Sequence, residues 1–238
     1  KTMQNKWKIN LNNFMKTFAF IFARGGSKDI PGKNIRNLGG KPLLAHSIMI
    51  AQNIDEISRI FVSTEDQDIT EVGIKYGAEI IERPVELAQD DSPEWLSWLH
   101  AIKWLEARGE FFDCFVSLPT TSPLRNKTDV VNCINLLDKQ TDIVVTISEA
   151  SRNPYFNMVH KEEDYIKLLI EGEKSYSRRQ DAPLAYDMTT VAYVAHLDFI
   201  KNNNKIFDGR VKAALIPKER SVDIDDEIDF KMAELLMR

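Results

Sequence analysis

The chain is poor in the residues that mark zinc-stapled and disulfide-bonded proteins. Its 238 residues include two cysteines, Cys114 and Cys133, and four scattered histidines. Neither cysteine has a second Cys or a His at zinc-site spacing, so the ordinary interpretation is two buried free thiols in a reducing compartment. We therefore expect neither structural zinc nor disulfide bonds.

The chain also lacks an excess of positive charge and any long apolar run. Its 31 Lys and Arg against 36 Asp and Glu give a net charge of −5, whereas a general nucleic-acid binder would usually be basic. The apolar runs are far too short to span a membrane. Residues 1–14 are polar and have no apolar core of the kind a secretory signal needs. We expect an N-terminal extension at 1–14, a folded domain at 15–238, and no nucleic-acid or membrane partner.

What the sequence does contain is a regular alternation of strand-like and helix-like segments. This alternation predicts a mostly parallel sheet covered by helices on both faces, with ligands outside the carboxyl ends of the strands. The predicted strands are 17–23, 59–63, 78–82, 113–118, 142–148, 191–194 and 211–217, and the predicted helices are 42–53, 66–76, 93–108, 127–138 and 226–237.

The alternation stops after Ser148. Residues 149–190 combine a turn signal at Asn153–Pro154 with a charged run at 161–164 and a short apolar run at 165–170. This mixture is typical of an inserted arm. Because an arm cannot bury its apolar residues within itself, we expect it to pack against a second copy in a two-fold dimer.

The most informative segment is the loop after the first predicted strand, Arg24-Gly-Gly-Ser-Lys-Asp-Ile-Pro-Gly-Lys-Asn34. Adjacent glycines let backbone N–H groups approach a ligand closely, and Arg24, Lys28 and Lys33 add charge that suits phosphate. The spacing fits neither the P-loop nor the dinucleotide-binding glycine pattern. An ordinary turn with solvated lysines is the alternative, but the cluster of cations, Ser and Asn favours a polyanion site.

A second motif is the acidic segment Ser221-Val-Asp-Ile-Asp-Asp-Glu-Ile-Asp229. Asp223 and Asp225 are two residues apart, so in extended backbone they point to the same side. Two carboxylates at a strand end suit Mg²⁺. An acidic helix start is the alternative, but it explains Asp223 poorly because Val222 and Ile224 flank it as buried neighbours would.

Three further segments carry polar groups where ligands are expected. Leu118-Pro-Thr-Thr-Ser-Pro-Leu-Arg125 supplies hydroxyls and a guanidinium in a proline-stiffened loop, and Arg83 begins another strand-end loop that runs to Ser92. At the end of the arm, Arg178-Arg-Gln-Asp181 offers arginines that suit a substrate carboxylate. A surface charge patch is the alternative there.

Together these segments resemble the acylneuraminate cytidylyltransferases, the CMP-sialic acid synthetases, from about Lys16 to the C-terminus. Several short motifs occur as they do in that family: Arg24-Gly-Gly-Ser-Lys28, Pro31-Gly-Lys-Asn34, Arg83-Pro84, Thr121-Ser-Pro-Leu-Arg125, Arg179-Gln180 and Asp223-Ile-Asp225.

The resemblance implies a fold and a reaction. The fold is a Rossmann-like α/β three-layer sandwich with a mostly parallel sheet, plus a dimerisation arm at about 149–190 that reaches the active site of the partner in a homodimer. The reaction is Mg²⁺-dependent and converts CTP and a nine-carbon 2-keto sugar acid, a nonulosonic acid, into the CMP-sugar and pyrophosphate. The expected location is the bacterial cytoplasm, and the expected use of the product is surface-glycan or flagellin glycosylation.

The resemblance also implies roles for individual residues. Lys33, Arg24 and Asp225 are expected to act in catalysis, Lys33 by stabilising the transition state at the α-phosphate, and Asp223 and Asp225 are expected to bind the metal. The residues expected to bind the nucleotide are Arg24, Gly25, Gly26, Ser27, Lys28, Lys33, Asn34, Arg83, Ser92, Thr121 and Ser122. Those expected to bind the sugar acid are Arg179, Gln180, Tyr193 and Arg125.

Departures from the family lie around the sugar. Many N-acetylneuraminate members have Gln where Pro119 stands, Lys near Phe156, and Asn-Gly where Thr189-Thr190 stands. Fewer polar groups favour a less hydroxylated sugar, because buried hydroxyls without partners are costly. The acceptor thus stays open between N-acetylneuraminate and an acid of the legionaminic type. A synthetase for the eight-carbon acid Kdo and a catalytically silent nucleotide-binding regulatory homologue are the rival functions.

Overall fold

The computed structural model describes residues 15–172 and 176–238, so the expected extension at 1–14 lies outside the described residues. In chain order the strands are β1 (Thr17–Phe22), β2 (Asn37–Leu38), β3 (Lys41–Pro42), β4 (Ile57–Thr64), β5 (Glu79–Glu82), β6 (Cys114–Ser117), β7 (Ile143–Glu149), β8 (Val159–Glu162), β9 (Tyr165–Leu168), β10 (Tyr186–His196) and β11 (Val211–Leu215). The α-helices are α1 (Leu43–Gln52), α2 (Gln67–Lys75), α3 (Glu94–Glu106), α4 (Lys127–Leu136), α5 (Leu197–Asn202) and α6 (Glu227–Leu236).

Seven strands form one sheet in the order β11-β7-β10-β6-β1-β4-β5. Every neighbouring pair is parallel except the two that include β10, which runs antiparallel to β6 and β7. The mostly parallel Rossmann-like sheet is thus confirmed. Because β4 and β5 lie on one side of β1 and β6 on the other, the connections diverge there, and a crevice forms at the carboxyl ends of β1 and β6.

The core lies on both faces of the sheet, because alternate residues of a strand point to opposite sides. Phe18 and Phe20 of β1 pack in one layer with Trp98 of α3. Ala19 and Ile21 pack in the other, against α1, α2 and α4. All four of these β1 residues have no exposed surface. The resulting helix–sheet–helix layers form the three-layer sandwich.

The predicted elements are confirmed to within a few residues, apart from β10. That strand begins at Tyr186 rather than at 191. The sequence did not indicate its first residues as strand, because Tyr186 to Met188 are exposed and lack a buried apolar pattern. The hairpins β2–β3 and β8–β9 and the short helix α5 are further elements that were not predicted. The described residues of 149–190 contain the last residue of β7, the hairpin β8–β9, a 3₁₀ turn at Arg179–Asp181 and, from Tyr186, the first residues of β10, so the two ends of the predicted arm belong to the main sheet.

The two cysteines occupy the predicted elements. Cys114 lies in β6 and Cys133 in α4, and both are free and buried. Burial raises the pKa of each thiol to about 12, so both stay protonated and unreactive at neutral pH. Within residues 15–172 and 176–238, no helix has the length and apolar composition that crossing a bilayer requires.

Candidate active site

The loop after β1 depends on glycine at two positions. A Cβ at Gly25 would lie 2.2 Å from a carboxylate oxygen of Asp66, whose other oxygen caps α2 through the Ile69 amide. Gly32 has φ of +65°, a conformation that L side chains rarely adopt, and it leads into the short 3₁₀ helix Lys33–Ile35. Gly26 is exposed, and a Cβ placed there would meet no described atom beyond its chain neighbours within 4 Å, so its backbone faces open space.

Hydrogen bonds join this loop to the loops after β6 and β11. Asn34 donates to the carbonyl of Arg24 over 2.9 Å and accepts from the hydroxyl of Thr120 over 2.6 Å. Lys33 Nζ donates to the carbonyl of Ile224 over 2.7 Å, and the Ile224 amide donates to the carbonyl of Thr121 over 2.8 Å. Segments that are distant in sequence are thereby held side by side at the carboxyl edge of the sheet.

The two arginines nearest the loop are engaged with carboxylates. Arg24 Nη1 lies 2.8 Å from Asp90, which also pairs with the ammonium of Lys28. Arg83 is 6% exposed and donates to Glu65 over 2.7 Å and to the carbonyl of Ala23 over 2.9 Å. Arg83 is therefore a buried cation held in place by Glu65 and the backbone of Ala23.

Glu65 ties Arg83 to the loop. One of its oxygens accepts from Arg83 and the other from the Gly25 amide over 2.9 Å. Burial of the Glu65 carboxyl opposes its ionisation, but the hydrogen bonds from Arg83 and Gly25 outweigh burial and lower its pKa. Glu65 is consequently a fixed negative charge that sets the position of Arg83 and of Gly25.

The Thr-Ser-Pro loop faces the start of β10. The hydroxyls of Thr121 and Ser122 lie 3.2 Å and 2.7 Å from the hydroxyl of Thr190. Arg125 is 3% exposed and donates to Ser47 over 2.7 Å, to the carbonyl of Pro119, and to the carbonyl of Thr190 over 3.3 Å. The described structure therefore places the Arg125 guanidinium inside the protein, where it supports this loop.

The pKa of Arg125 reflects that position. Burial lowers it to about 9, and the negative charges of Asp223 and Asp129 act in the opposite direction. The guanidinium thus carries charge at neutral pH and lies close enough to Asp223 to attract it. Its Nε is buried with no hydrogen-bond partner in the described part of the chain.

Asp223 and Asp225 follow one another across the buried Ile224. Asp223 Oδ1 is buried and has no hydrogen-bond partner among the described residues. The pKa of Asp225 is raised, first by burial and then by the charge of Asp223, while Lys33 opposes the rise. Asp226 and Asp229 form a capping box at the start of α6. These two residues therefore match the alternative interpretation of this segment, an acidic helix start.

The residues expected to bind the sugar acid lie in two places. Arg179 and Gln180 lie on an exposed 3₁₀ turn, where Arg179 donates to the carbonyl of Ala150 and lies 3.6 Å from Glu149. Tyr193 is deep in the sheet, 6% exposed, with its ring centroid 5.7 Å from that of Trp98. Burial, then the charges of Glu94 and Asp223, raise the pKa of Tyr193 to about 12. Of these three residues, Tyr193 is the one whose pKa responds to a carboxylate of the acidic loop.

Sequence reasoning missed three groups in this region. Glu65 directly follows β4 and Asp90 lies in the loop after β5, so both occupy strand ends where ligands were expected. Their position was a usable signal. Thr190 gave no local signal, since its role depends on the pairing of β10 with its neighbours. Ser27 and Ser92 lie half-buried in the loops after β1 and β5, where they were expected.

A mostly parallel sheet with a cationic, glycine-rich loop and an acidic loop at the same carboxyl edge is an arrangement that suits a nucleotidyltransferase. The chain belongs to the cytidylyltransferase family, whose model matches residues 18–231, and it is an enzyme of that class. It is 32% identical over 222 residues to CMP-N,N'-diacetyllegionaminic acid synthase of Campylobacter jejuni, covering 91% of this chain and 93% of that protein.

Two other likenesses extend this result. The chain is 30% identical over 224 residues to "Post-translational flagellin modification protein B" of Campylobacter coli, covering 92% of this chain and 93% of that protein. A solved structure of CMP:2-keto-3-deoxy-manno-octonic acid synthetase complexed with CTP superposes with a TM-score of 0.70 at 16% identity, covering 93% of this chain and 98% of that chain. At this low identity, the superposition with the synthetase structure shows the shared fold alone.

Proposed function

We propose that the protein transfers CMP from CTP to a nonulosonic acid, with release of pyrophosphate. The contact between Lys33 and the Ile224 carbonyl carries the proposal, because it sets the cation of the nucleotide loop against the residue that separates Asp223 from Asp225. A cation that suits phosphate and two carboxylates that suit a metal counter-ion thus lie next to each other. The C. jejuni relative, named a CMP-N,N'-diacetyllegionaminic acid synthase, supports the class of acceptor.

The triphosphate would lie along the loop from Arg24 to Asn34. Its cations Arg24, Lys28 and Lys33 suit phosphate oxygens, and the exposed backbone at Gly26 allows close approach. The nucleoside would extend towards the loop from Arg83 to Ser92. Since Arg83 is already held by Glu65, it would act on the base side from a fixed position, while Thr121 and Ser122 line the opposite loop.

Asp223 and Asp225 fit Mg²⁺. The unpartnered buried oxygen of Asp223 and the raised pKa of Asp225 are the signs of carboxylates whose negative charge the nearby Arg125 and Lys33 do not fully offset. Within residues 15–172 and 176–238, no group of three or more His, Cys, Asp or Glu side chains could hold a metal ion, so a Mg²⁺ ion on Asp223 and Asp225 would take its remaining oxygen ligands from substrate phosphates and water. When bound, the ion would neutralise charge on the triphosphate and on the departing pyrophosphate.

In the proposed reaction the anomeric hydroxyl of the sugar acid attacks the α-phosphorus of CTP. The new bond joins that oxygen to phosphorus, the bond from phosphorus to the β-phosphate oxygen breaks, and the hydroxyl proton leaves to solvent or a nearby base. Negative charge grows on the phosphoryl oxygens during this step, so Lys33 and Arg24 stabilise the transition state more than the ground state. No protein nucleophile is needed.

An acceptor of the legionaminic type is the preferred substrate in this proposal. Thr189 is 6% exposed and its hydroxyl donates to Thr146 over 2.7 Å, so it has little capacity left for a sugar hydroxyl. The carbonyl of Pro119 accepts from Ser47 and Arg125 and is similarly occupied. Fewer free polar groups at these two positions than Gln and Asn would supply favour a 9-deoxy, 5,7-diamido acid over N-acetylneuraminate.

The arm is proposed to form a homodimer. Tyr165 and Ile166 of the hairpin β8–β9 are 76% and 69% exposed, and Leu184, which precedes β10, is 78% exposed. Large apolar side chains exposed to this extent are typical of an interaction surface. A second copy of the chain, joined by two-fold symmetry, would cover them. The two buried thiols suit a reducing compartment, so we place the enzyme in the bacterial cytoplasm.

Pyrophosphate release tests the proposal. Purified protein is mixed with Mg²⁺, each of the four nucleoside triphosphates, and N,N'-diacetyllegionaminic acid, N-acetylneuraminate or Kdo. We expect release only with CTP, and a higher kcat/KM for the legionaminic acid than for N-acetylneuraminate. Preference for Kdo would establish the eight-carbon alternative, and no release with any acid would favour a silent homologue, which the presence of Lys33, Asp223 and Asp225 argues against.

A further inference from the structure

A pocket of about 330 Å³ lies beside the acidic loop. It is bounded by the end of β7, the start of β10 and the segment after β11. Seven of its lining residues carry a hydroxyl, a carboxylate or an ammonium group: Ser148, Ser151, Asp187, Thr189, Lys218, Ser221 and Asp223. One lining residue, Asp223, is therefore a proposed metal ligand. The others lie on β7, on β10 and in the segments that follow β7 and β11, which have no part in the proposed binding of the triphosphate.

The pocket is held in register by the sheet. Asp187 of β10 pairs directly with Ser148 of β7, and both line the pocket at the carboxyl edge. Lys218 begins the 3₁₀ turn Lys218–Arg220 and its Nζ lies 2.8 Å from the hydroxyl of Ser151. The ammonium of Lys218 thus lines the same pocket as the carboxylates of Asp187 and Asp223.

Lys218 differs from the other cations of this region in its partners. No carboxylate lies within 4.0 Å of its Nζ in the part of the chain that the structure describes, whereas Arg220 pairs with Asp129 over 2.9 Å. Arg179, the residue that the family resemblance assigns to the acid, already contacts Glu149 and the carbonyl of Ala150. Arg179 would have to give up both partners to bind a substrate carboxylate, and Lys218 would give up one hydroxyl.

We infer that this pocket seats the sugar acid and that Lys218 is the counter-ion of its carboxylate. The inference rests on the proposed function, which supplies an acceptor with one carboxylate and several hydroxyl and amide groups. Ser148, Ser151 and Asp187 offer hydrogen bonds to those groups. Because Asp223 forms a wall of the same pocket, an acid held by Lys218 has its anomeric centre beside the metal-binding carboxylates, where the α-phosphate is expected.

The test compares an acid with its own C1 amide, which lacks the charge that Lys218 would recognise. kcat/KM is measured for both compounds with wild type, Lys218→Met and Lys218→Arg, at saturating CTP and Mg²⁺. We expect wild type to prefer the acid by about 10- to 100-fold, as a charge-assisted pair provides. Lys218→Met should reduce that preference to a few-fold and raise the KM for the acid without changing the KM for CTP, and Lys218→Arg should retain most of it.

Two further variants make the test specific. Arg179→Met examines the alternative cation, and Lys75→Met removes an exposed lysine from the last turn of α2, at the opposite edge of the sheet. Loss of the preference in Arg179→Met with retention in Lys218→Met would overturn the inference, as would an equal rise in KM for CTP. Wild type that turns over acids while Lys218→Met behaves identically contradicts the inference alone. Wild type that uses no acid contradicts the proposed function, and the inference falls with it.

Discussion

Asp90 Oδ1 lies 2.8 Å from Nη1 of Arg24, the first cation of the glycine-rich loop Arg24–Asn34. The other oxygen of Asp90 pairs with the ammonium of Lys28, so one carboxylate bridges two groups expected to hold phosphate. These contacts lower the pKa of Asp90, first through Lys28 and then through Arg24. In the proposed complex, the triphosphate competes with this carboxylate for Arg24 and Lys28.

Replacing Asp90 with Asn should therefore tighten CTP binding. Exposed ion pairs of this kind are individually weak, so releasing both should lower the Kd for CTP by about 3- to 10-fold. The neighbouring Asp91→Asn removes an exposed carboxylate without these contacts and should leave the Kd within about twofold. Isothermal titration calorimetry at two salt concentrations measures both. Weaker binding by Asp90→Asn would mean that Asp90 contacts the nucleotide.

Lys33 should matter more for turnover than for binding. The charge that it opposes grows in the transition state, so Lys33→Ala should lower kcat by about 100- to 1000-fold and change the Kd for CTP by less than about tenfold. Lys28→Ala is the matched comparison, because it removes an exposed cation from the same loop and should act mainly on the KM for CTP. A Lys33→Ala enzyme with normal kcat and only a raised KM would make Lys33 a ground-state binder.

The ionisation of Asp225 makes the stability of the ligand-free protein depend on pH. Its pKa is raised in the folded protein, so the folded state binds the proton more readily than the unfolded chain, and stability falls as pH rises through that pKa. Asp225→Asn should raise Tm at pH 7 by about 1–3 °C, and the difference should vanish as pH falls below about 4, where Asp is protonated in both states. Thermal unfolding between pH 4 and 8 measures it.

The same variant tests the metal site. Asp225→Asn should lower kcat by about 100-fold or more and lose most of the stabilisation that Mg²⁺ with CTP gives to wild type. Glu234→Gln, an exposed change on α6, should behave as wild type in both measurements. Activity within a few-fold of wild type at saturating Mg²⁺ would contradict the assignment.

The arm should control assembly. Ile166→Asp places a charge on the exposed apolar hairpin, so it should convert a dimer into monomers while changing the stability of the single chain little. Ile74→Asp, at an isoleucine that is 61% exposed on α2, is the matched control and should remain dimeric. Light scattering at micromolar concentration decides, and a wild-type monomer would refute the proposed dimer.

The sheet was predictable because burial on both faces leaves a continuous apolar run. Phe18 to Ile21 have no exposed surface, and their sequence shows it directly. The hairpin β8–β9 was not predictable in the same way, since Val159 to Glu162 are all exposed and their apolar content resembles a loop. For this hairpin, the sequence showed only that the alternation of strands and helices stops.

For the site, motifs located the loops but not the contacts between them. The bond from Lys33 to the carbonyl of Ile224 joins residues 191 apart in sequence, and the one from Arg125 to Ser47 joins residues 78 apart. Such contacts depend on strand order, which a local pattern does not specify. The sequence indicated Arg125 as a substrate ligand, and its hydrogen bonds to Ser47 and to the carbonyls of Pro119 and Thr190 are likewise contacts that the sequence does not specify.

The fate of the α-phosphorus of CTP tests the central claim most directly. In ³¹P NMR of wild type with Mg²⁺, CTP and N,N'-diacetyllegionaminic acid, we predict that the α-phosphorus signal is replaced by that of a phosphodiester, with one pyrophosphate formed for each, and only when the acid is present. Formation of the CMP monoester and pyrophosphate regardless of the acid would contradict the claim, because water rather than a sugar hydroxyl would then be the nucleophile.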